Sequence, residues 1–198
     1  MNKALPALLA ATAALAGLAS CHRAQAPEGT LAGAKLGGPF TLTDQNGARF
    51  DSARLLGRYP VIYFGYTFCP DVCPTEMQTL AKGLRQFEHD DAARAAKVLP
   101  VFITVDPARD TPAVLKTYVA AFHPRMIGLT GSDAQIAAVA RDYAVFYQKG
   151  EPQKGQPGYL MQHSTAAMLF GPDGKPITLV PVDADAPQVA ATLAAWVR

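Results

Sequence analysis

Two runs of apolar, β-prone residues restrict the fold of this chain more than any other feature of its sequence. Residues 60–66 (PVIYFGY) and 98–105 (VLPVFITV) carry no charged side chain. A strand without polar alternation is typical of the centre of a parallel sheet, where helices cover both faces. Between the two runs, apolar residues recur at helical spacing at Met77, Leu80, Leu84 and Phe87. The pattern predicts an α/β domain in which a helix, beginning near Thr75, connects two parallel strands.

Alternating strand and helix patterns occupy most of the remaining chain. A hairpin is predicted at residues 40–50, where Asn46-Gly47 supplies the tight turn. Residues 149–162 form a loop rich in Gly and Pro that is long enough to suggest a function. Further strands are predicted at 126–130, 145–148, 164–170 and 176–182, and further helices at 111–122, 133–143 and 186–197. We therefore expect a mixed central sheet flanked by helices, with an extra N-terminal hairpin.

The N-terminus has the pattern of an export signal. Residues 4–19 are uncharged and follow Lys3, as in a secretory signal peptide. Leu18-Ala19-Ser20-Cys21 resembles the lipobox of bacterial lipoproteins, in which the cysteine is acylated and becomes the first mature residue. The alternative is a single uncleaved signal-anchor helix, for which the apolar run is marginal in length. We predict a lipoprotein-type signal peptide at 1–20, a flexible tether at 21–36 and a folded domain at 37–198, lipid-anchored on the periplasmic side of a bacterial membrane.

The charge of the chain limits the kinds of molecule it can bind, and its cysteine content limits the roles of the cysteines. The chain has 18 basic and 16 acidic residues and a net charge of +2. This balance excludes a strongly basic nucleic-acid-binding protein. A chain of 198 residues buries enough surface to fold without a disulfide scaffold. The three cysteines are an odd number, and acylation of Cys21 would leave Cys69 and Cys73 as a pair in the exported domain.

The two cysteines lie in the segment YTFCPDVCP (66–74), between a predicted buried strand and a helix. Loops at this position of an α/β sheet are where active sites collect. The free N–H groups of a helix start stabilise a thiolate, and a spacing of four residues places both sulfurs on one side of the turn. The pair could form a structural disulfide, act as a redox couple or bind one metal ion. A structural bridge is the less favoured reading because so short a loop restrains little unfolded chain.

Two thiolates leave a metal ion short of ligands, so the four histidines are candidates. His22 lies in the tether, His89 in a polar stretch, and His123 at a helix end. His163 lies where the Gly/Pro loop meets a predicted buried strand, although a structural role is open there too. Two thiolates with one imidazole favour Cu(I), whereas zinc would usually take a fourth ligand or a water.

Three segments in one order give the chain a family resemblance. GYTFCPDVCP (65–74), TVDPARDTP (104–112) and HSTAAMLFGPDG (163–174) together resemble the SCO/SenC family of proteins involved in cytochrome c oxidase biogenesis, over about residues 36–198. The resemblance implies a thioredoxin-like fold and one copper per chain, as Cu(I) or Cu(II), bound by Cys69, Cys73 and His163. It also implies cytochrome c oxidase subunit II and a copper donor protein as partners. We expect a monomer that binds no nucleic acid.

One position departs from the family pattern. Members often carry Asp directly before the histidine, whereas this chain has Gln162, which puts the tuning of Cu(II) affinity in doubt. Asp71, between the cysteines, and Asp106, after the second strand, are candidates for carboxylates that tune the site from behind the ligands. The Asp106 loop equally fits a turn and a helix cap, and Met161 fits a packing role.

These observations leave two main hypotheses for the function of the chain. The first is a metallochaperone that delivers copper to the dinuclear copper site of oxidase subunit II, or maintains the thiols there. The alternative is a thiol–disulfide oxidoreductase with Cys69 and Cys73 as its redox couple. Three residues separate these cysteines, where such oxidoreductases usually have two, and no proline accompanies His163. A peroxidase would need a tryptophan partner, and Trp196 lies in the terminal helix. The sequence thus favours a metallochaperone over an enzyme.

Overall fold

The computed structural model describes residues 28–151 and 158–198. The predicted signal peptide, Cys21, the first part of the predicted tether and residues 152–157 lie outside the described residues. None of the helices within the described ranges is long and apolar enough to cross a membrane.

A mixed sheet of seven strands forms the centre of the domain. Its strands are β1 (Thr41–Asp44), β2 (Arg49–Asp51), β3 (Tyr59–Gly65), β4 (Val98–Thr104), β5 (Ile127–Thr130), β8 (Ala167–Phe170) and β9 (Pro176–Val180). The sheet order is β2-β1-β5-β4-β3-β8-β9, with parallel pairing of β3 to β4 and of β4 to β5 and antiparallel pairing elsewhere. The expected N-terminal hairpin is β1 and β2, which extends the sheet beyond β5.

The two apolar runs form the central strands, as predicted. β3 and β4 pair in parallel from Tyr59 opposite Val98 to Gly65 opposite Thr104, and every residue of both strands is buried. Complete burial requires helices on both faces, which explains why neither strand alternates with polar residues. The helices are α1 (Val72–Asp90), α2 (Ala92–Ala95), α3 (Pro112–Phe122), α4 (Asp133–Asp142) and α5 (Ala186–Trp196).

The helices form two layers. α1 packs on α5 and also contacts α3 on one face of the sheet. On the other face, Tyr143 at the end of α4 packs against Phe64 and Phe170. This arrangement is the thioredoxin-like fold that we expected. The short elements α2 and a 3₁₀ turn at Ser52–Leu55 were not predicted, because four residues are too few to show a period.

A two-stranded sheet lies apart from the main one. β6 (Tyr147–Lys149) pairs antiparallel with β7 (Met161–His163), and we call these two strands the His163 arm. β7 overlaps the end of the segment predicted as a loop (149–162), since three residues are too few to show an alternating pattern. His163 thus ends the arm, and the main-sheet strand that follows begins only at Ala167.

Part of the predicted tether contacts the domain. The backbone N–H of Leu31 donates to the carbonyl of Ile177 at 3.1 Å, and the hydroxyls of Thr30 and Thr178 are 3.0 Å apart. Leu31 and Leu36 pack against the core. Leu31 and Leu36 therefore lie against the domain before the predicted boundary at residue 37, whereas residues 32–35 between them are exposed.

Candidate metal centre

The cysteine loop is held in place by a buried carboxylate from the neighbouring strand-to-helix loop. Asp110 is fully buried and accepts hydrogen bonds from the Thr67 N–H at 3.0 Å and the Thr67 hydroxyl at 2.6 Å. It also accepts from the Thr104 hydroxyl at 2.6 Å. These bonds tie the residues after β3 to those after β4. Burial raises the pKa of Asp110, although the bonds from Thr104 and Thr67 act in the opposite direction.

The sulfur of Cys69 lies at the first turn of α1. The helix begins at Val72, earlier than predicted, and Asp71 makes no side-chain capping bond. Instead, the backbone N–H of Cys73 donates to Sγ of Cys69 at 3.4 Å. Cys69 is half-buried, Cys73 is completely buried, and both are free thiols. The sulfur thus occupies the place of a helix-capping oxygen.

The site shifts the pKa values of the two cysteines in opposite directions. A hydrogen bond from the Cys73 thiol, together with bonds from the helix-start amides, lowers the pKa of Cys69 to about 3. The same hydrogen bond to Cys69, with burial second, raises the pKa of Cys73. At neutral pH the exposed sulfur is therefore a thiolate and the buried one a thiol.

His163 completes a cluster with the cysteines. Its Nε2 lies 3.3 Å from Sγ of Cys73, and its Nδ1 lies 2.9 Å from the Ser164 carbonyl oxygen. A carbonyl can only accept, so Nδ1 carries the proton and, in the neutral ring, Nε2 keeps its lone pair. That lone pair faces the sulfurs, which is the orientation a metal-binding imidazole requires.

Two tyrosines fix the plane of the imidazole. The rings of Tyr66 and Tyr63 meet His163 edge to face, with centroids 5.8 and 6.4 Å away. Burial raises the pKa of Tyr66 to about 12, and burial likewise raises that of Tyr63. Both phenols therefore stay neutral at physiological pH.

The cluster opens into a cleft between the cysteine loop and the His163 arm. Asp71 is exposed at the cleft and makes no capping bond, which leaves its carboxylate free to face solvent. Gln162 is exposed and also lines the cleft. Met161 packs against the core, as expected. Phe68 and Val72 are large exposed apolar residues next to the cysteines.

Asp106 lies behind the cluster without contacting the predicted ligands. It is buried, forms an ion pair with Arg109 and accepts a hydrogen bond from the Tyr159 hydroxyl at 2.8 Å. Its carboxylate is thus engaged with the loop before β7 rather than with Cys69, Cys73 or His163.

The described histidines outside the cluster have other surroundings. His89 is exposed near the end of α1 beside Asp90. His123 is buried, 3.2 Å from Glu88, and its Nδ1 accepts from the backbone N–H of Arg125. Burial lowers the pKa of His123, which stays neutral in a structural network. His163 is the described histidine that lies beside the cysteines.

Several residues around the cluster were not singled out from sequence. Asp110 and Arg109 stand in the noted segment TVDPARDTP, but spacing does not reveal that one is fully buried. Glu76 is buried on α1, its Oε2 has no hydrogen-bond partner among the described residues, and burial raises its pKa. Tyr159 lies in the predicted loop and gives no sequence signal of its own.

The donors suit a soft metal ion in an open site. Two sulfurs and an oriented imidazole nitrogen are ligands that Cu(I) prefers. Among the described residues, no three His, Cys, Asp or Glu side chains already form a complete set of ligands. Cys69 is half-buried and lines the cleft, so its sulfur can be reached from solvent.

The chain is similar to known proteins of one family. The family model described as SCO1/SenC matches residues 28–198. An SCO2-like protein of Rickettsia felis is 44% identical over 71% of this chain and 67% of its own. The mitochondrial protein SCO2 of Saccharomyces cerevisiae is 42% identical over 71% of this chain. This chain covers 46% of the yeast protein, less than half of its length.

Solved structures show the same fold. Bradyrhizobium japonicum ScoI with copper bound is 40% identical, with a TM-score of 0.72, covering 82% of this chain and 99% of that one. Arabidopsis thaliana ScoI with copper bound is 37% identical, with a TM-score of 0.74, covering 81% of this chain and 97% of that one. The similarity thus spans nearly all of the described domain.

Proposed function

The chain belongs to the SCO1/SenC family, and from that premise we propose that it carries one copper ion on Cys69, Cys73 and His163. Sco proteins are copper-binding proteins of cytochrome c oxidase assembly. We propose that this chain, acting as a monomer, delivers copper to the dinuclear site of oxidase subunit II or maintains the thiols there. A copper donor protein would load it.

One observation carries the proposal. Nε2 of His163 lies 3.3 Å from Sγ of Cys73, and the sulfur of Cys69 accepts from the Cys73 N–H. Three donors of the kind that Cu(I) prefers therefore converge at the edge of a cleft, from parts of the chain far apart in sequence. Relatives solved with copper bound support the choice of copper as the ion.

The different acidities of Cys69 and Cys73 set the order in which the bonds to copper would form. The Cys69 thiolate, half-buried and charged, meets an incoming Cu(I) first. A second Cu–S bond then forms as the Cys73 thiol loses its proton to solvent, because a metal ligand must be deprotonated. The lone pair of His163 supplies the third bond. Release to an acceptor reverses these steps and returns the proton to Cys73.

The open cleft supports exchange between proteins. Phe68 and Val72 flank Cys69 as exposed apolar side chains, which gives a docking protein an apolar contact beside the ligands. We propose that the domain faces the periplasm and is anchored to the membrane through acylated Cys21. A tether of this kind would keep the cleft near membrane-bound oxidase.

Metal content tests the proposal. The reduced full chain, incubated with excess Cu(I) and desalted, is expected to hold one copper per chain by elemental analysis. Loading with Cu(II) is expected to give a thiolate-to-copper absorption band. Cys69→Ser and Cys73→Ser should each lose tightly bound copper, whereas Cys21→Ser is the matched control and should keep it. Full retention in Cys69→Ser would overturn the site.

Thiol–disulfide exchange is a second candidate, and the acidity of the cysteines favours it. A half-exposed thiolate beside a buried thiol is the arrangement such exchange requires. If this is the function, Cys69→Ser abolishes reduction of insulin disulfides and His163→Ala leaves that activity intact. If copper transport is the function, His163→Ala has its main effect on copper binding.

A further inference from the structure

We propose that Arg109 is a positioning residue for His163, acting through Tyr66 and Tyr159. This inference rests on the proposed copper site, in which His163 is the third ligand. It concerns how the imidazole is held in place before any metal arrives, and it can therefore be examined on the metal-free chain.

Arg109 is enclosed by three aromatic rings. Its guanidinium carbon lies 3.8 Å from the ring centre of Tyr159, 4.8 Å from that of Phe68 and 5.7 Å from that of Tyr66. Such cation–π contacts strengthen as water is excluded from them. Its Nη2 is buried with no hydrogen-bond partner within the described ranges, so ring stacking contributes much of its orientation.

Polar contacts lock the same guanidinium to Tyr159. Nε of Arg109 pairs with Asp106, and Nη1 donates to the Tyr159 carbonyl at 2.9 Å. Asp106 in turn accepts from the Tyr159 hydroxyl at 2.8 Å. Lys149 of β6 lies over the Tyr159 ring at 3.9 Å. Arg109, Asp106 and Tyr159 therefore form a closed set of contacts, which we call the Arg109 clasp.

The clasp is connected to His163 in two ways. Through space, Arg109 stacks on Tyr66, whose ring meets the His163 ring edge to face at 5.8 Å. Through the backbone, Tyr159 lies just before β7, the strand that ends in His163. Both routes begin on the loop after β4 and end at the imidazole.

The His163 arm needs such a hold because it lies outside the main sheet. Its two strands pair with each other and with no main-sheet strand in the described chain. Next to it, Ser164 donates its backbone N–H to the Phe146 carbonyl at 2.9 Å, which closes the arm's own base. Tyr147 and Met161 of the arm pack against the core, and the clasp adds a polar and aromatic hold to the loop that follows a central strand.

Lysine is the informative replacement at this position. Arg109→Lys keeps the positive charge beside buried Asp106 but removes the planar fork that stacks on the rings and bonds Tyr159. Arg125→Lys is the matched control. Arg125 likewise pairs with a carboxylate, that of Glu88, and donates to the carbonyls of Ala95 and Val98, near the opposite ends of the central strands.

The first experiment records ¹⁵N-edited NMR of the histidine rings in the reduced, metal-free full chain. The parent is expected to show His163 as a single tautomer with the proton on Nδ1. Arg109→Lys is expected to move these signals toward tautomer-averaged shifts, and Arg125→Lys to leave them in place. Tyr159→Phe, which removes only the hydroxyl bond to Asp106, should shift them in the same direction as Arg109→Lys. Unchanged His163 signals in both clasp variants would overturn the proposal.

The second experiment is a double-mutant cycle on Cu(I) affinity, measured by competition with a chromophoric chelator. Replacing a residue that orients a metal ligand typically costs 10–100-fold in affinity, so Arg109→Lys is expected to bind about tenfold more weakly. In a His163→Ala background the same substitution should cost nothing further. An equal loss in both backgrounds would refute action through His163. Absence of any copper binding would refute the proposed function, while the NMR result would still decide the role of Arg109.

Discussion

Sγ of Cys73 lies 3.3 Å from Nε2 of His163, although 90 residues separate them along the chain. Because that contact is the core of the proposed site, His163→Ala is expected to weaken Cu(I) binding by more than about 100-fold, since losing a ligand exceeds losing a residue that orients one. Chelator competition measures the loss. His89→Ala, an exposed histidine beside Asp90, is the control and should bind copper as the parent does. Equal affinity of the His163→Ala and parent chains would contradict the three-ligand site.

The acidity of Cys69 predicts an unusual pH profile for alkylation. Because its pKa is lowered to about 3, the thiolate form is complete at every pH between about 5 and 8. Its reaction with iodoacetamide, followed by peptide mass spectrometry on the reduced metal-free chain, should therefore be nearly independent of pH in that range. Cys73, buried and with a raised pKa, should react far more slowly.

The denatured chain provides the control for this profile. There both cysteines should show a rise in rate with a midpoint near the ordinary value of about 8.5. A midpoint near that value for Cys69 in the folded chain would mean that its thiolate is not stabilised by the helix start and by Cys73.

Asp110 is expected to contribute strongly to stability. Asp110→Ala leaves the N–H and hydroxyl of Thr67 and the hydroxyl of Thr104 without their acceptor. Such losses should lower the free energy of unfolding in urea by about 2–4 kcal/mol. The freed Thr67 should also make the cysteine loop looser and Cys73 easier to alkylate. Asp90→Ala, at an exposed site, should stay within about 0.5 kcal/mol of the parent; a similarly small effect of Asp110→Ala would refute this role.

Gly83 shows where packing overrides helix propensity. Alanine in a helix interior is favoured over glycine by about 1 kcal/mol. A Cβ at residue 83, however, would lie 2.4 Å from Cγ1 and 2.5 Å from Cβ of Val189, and 2.8 Å from the Ala186 carbonyl oxygen. Since Cβ and backbone atoms cannot swing aside, α5 must shift, and Gly83→Ala should destabilise the chain by about 1–3 kcal/mol in thermal or urea unfolding. Lys82→Ala, on the exposed side of α1, is the control; a stabilised Gly83→Ala chain would show that α5 moves freely.

The proposed anchor can be separated from a signal-anchor helix. If Cys21 is acylated after cleavage, Cys21→Ser should prevent acylation and its linked processing, and [³H]palmitate labelling of the exported chain should disappear. Cys69→Ser, which also removes one cysteine, should be labelled as the parent is. An unlabelled parent chain that stays in the membrane fraction would instead support the uncleaved helix.

The central strands and their helix connection could be predicted because their signals are local. The uncharged runs at 60–66 and 98–105 became β3 and β4, and the Thr111-Pro112 start became the cap of α3, with the Thr111 hydroxyl accepting from the Val114 N–H. Asn46-Gly47 lies in the turn between β1 and β2, where Gly47 has φ +78°. In each case neighbouring residues alone determine the backbone conformation.

The start of α1 and the position of β7 could not be predicted from the sequence. Helix α1 begins before Thr75 because a sulfur, which sequence rules do not treat as a cap, accepts the N–H of Cys73. β7 exists because residues 161–163 pair with residues 147–149. Both features depend on contacts that the pattern of neighbouring residues does not reveal.

Residue types and their spacing were enough to predict the soft donors, the strand–cysteine–helix order and the resemblance to a copper-binding family. The surroundings of those donors became visible in the tertiary structure. It placed Asp106 with Arg109 and Tyr159, buried Asp110 beneath the cysteine loop, and turned the lone pair of His163 toward Cys73. The physical reason is that residue type and spacing record which atoms can donate electrons, whereas burial and hydrogen-bond partners arise when distant loops meet at the ends of the parallel strands.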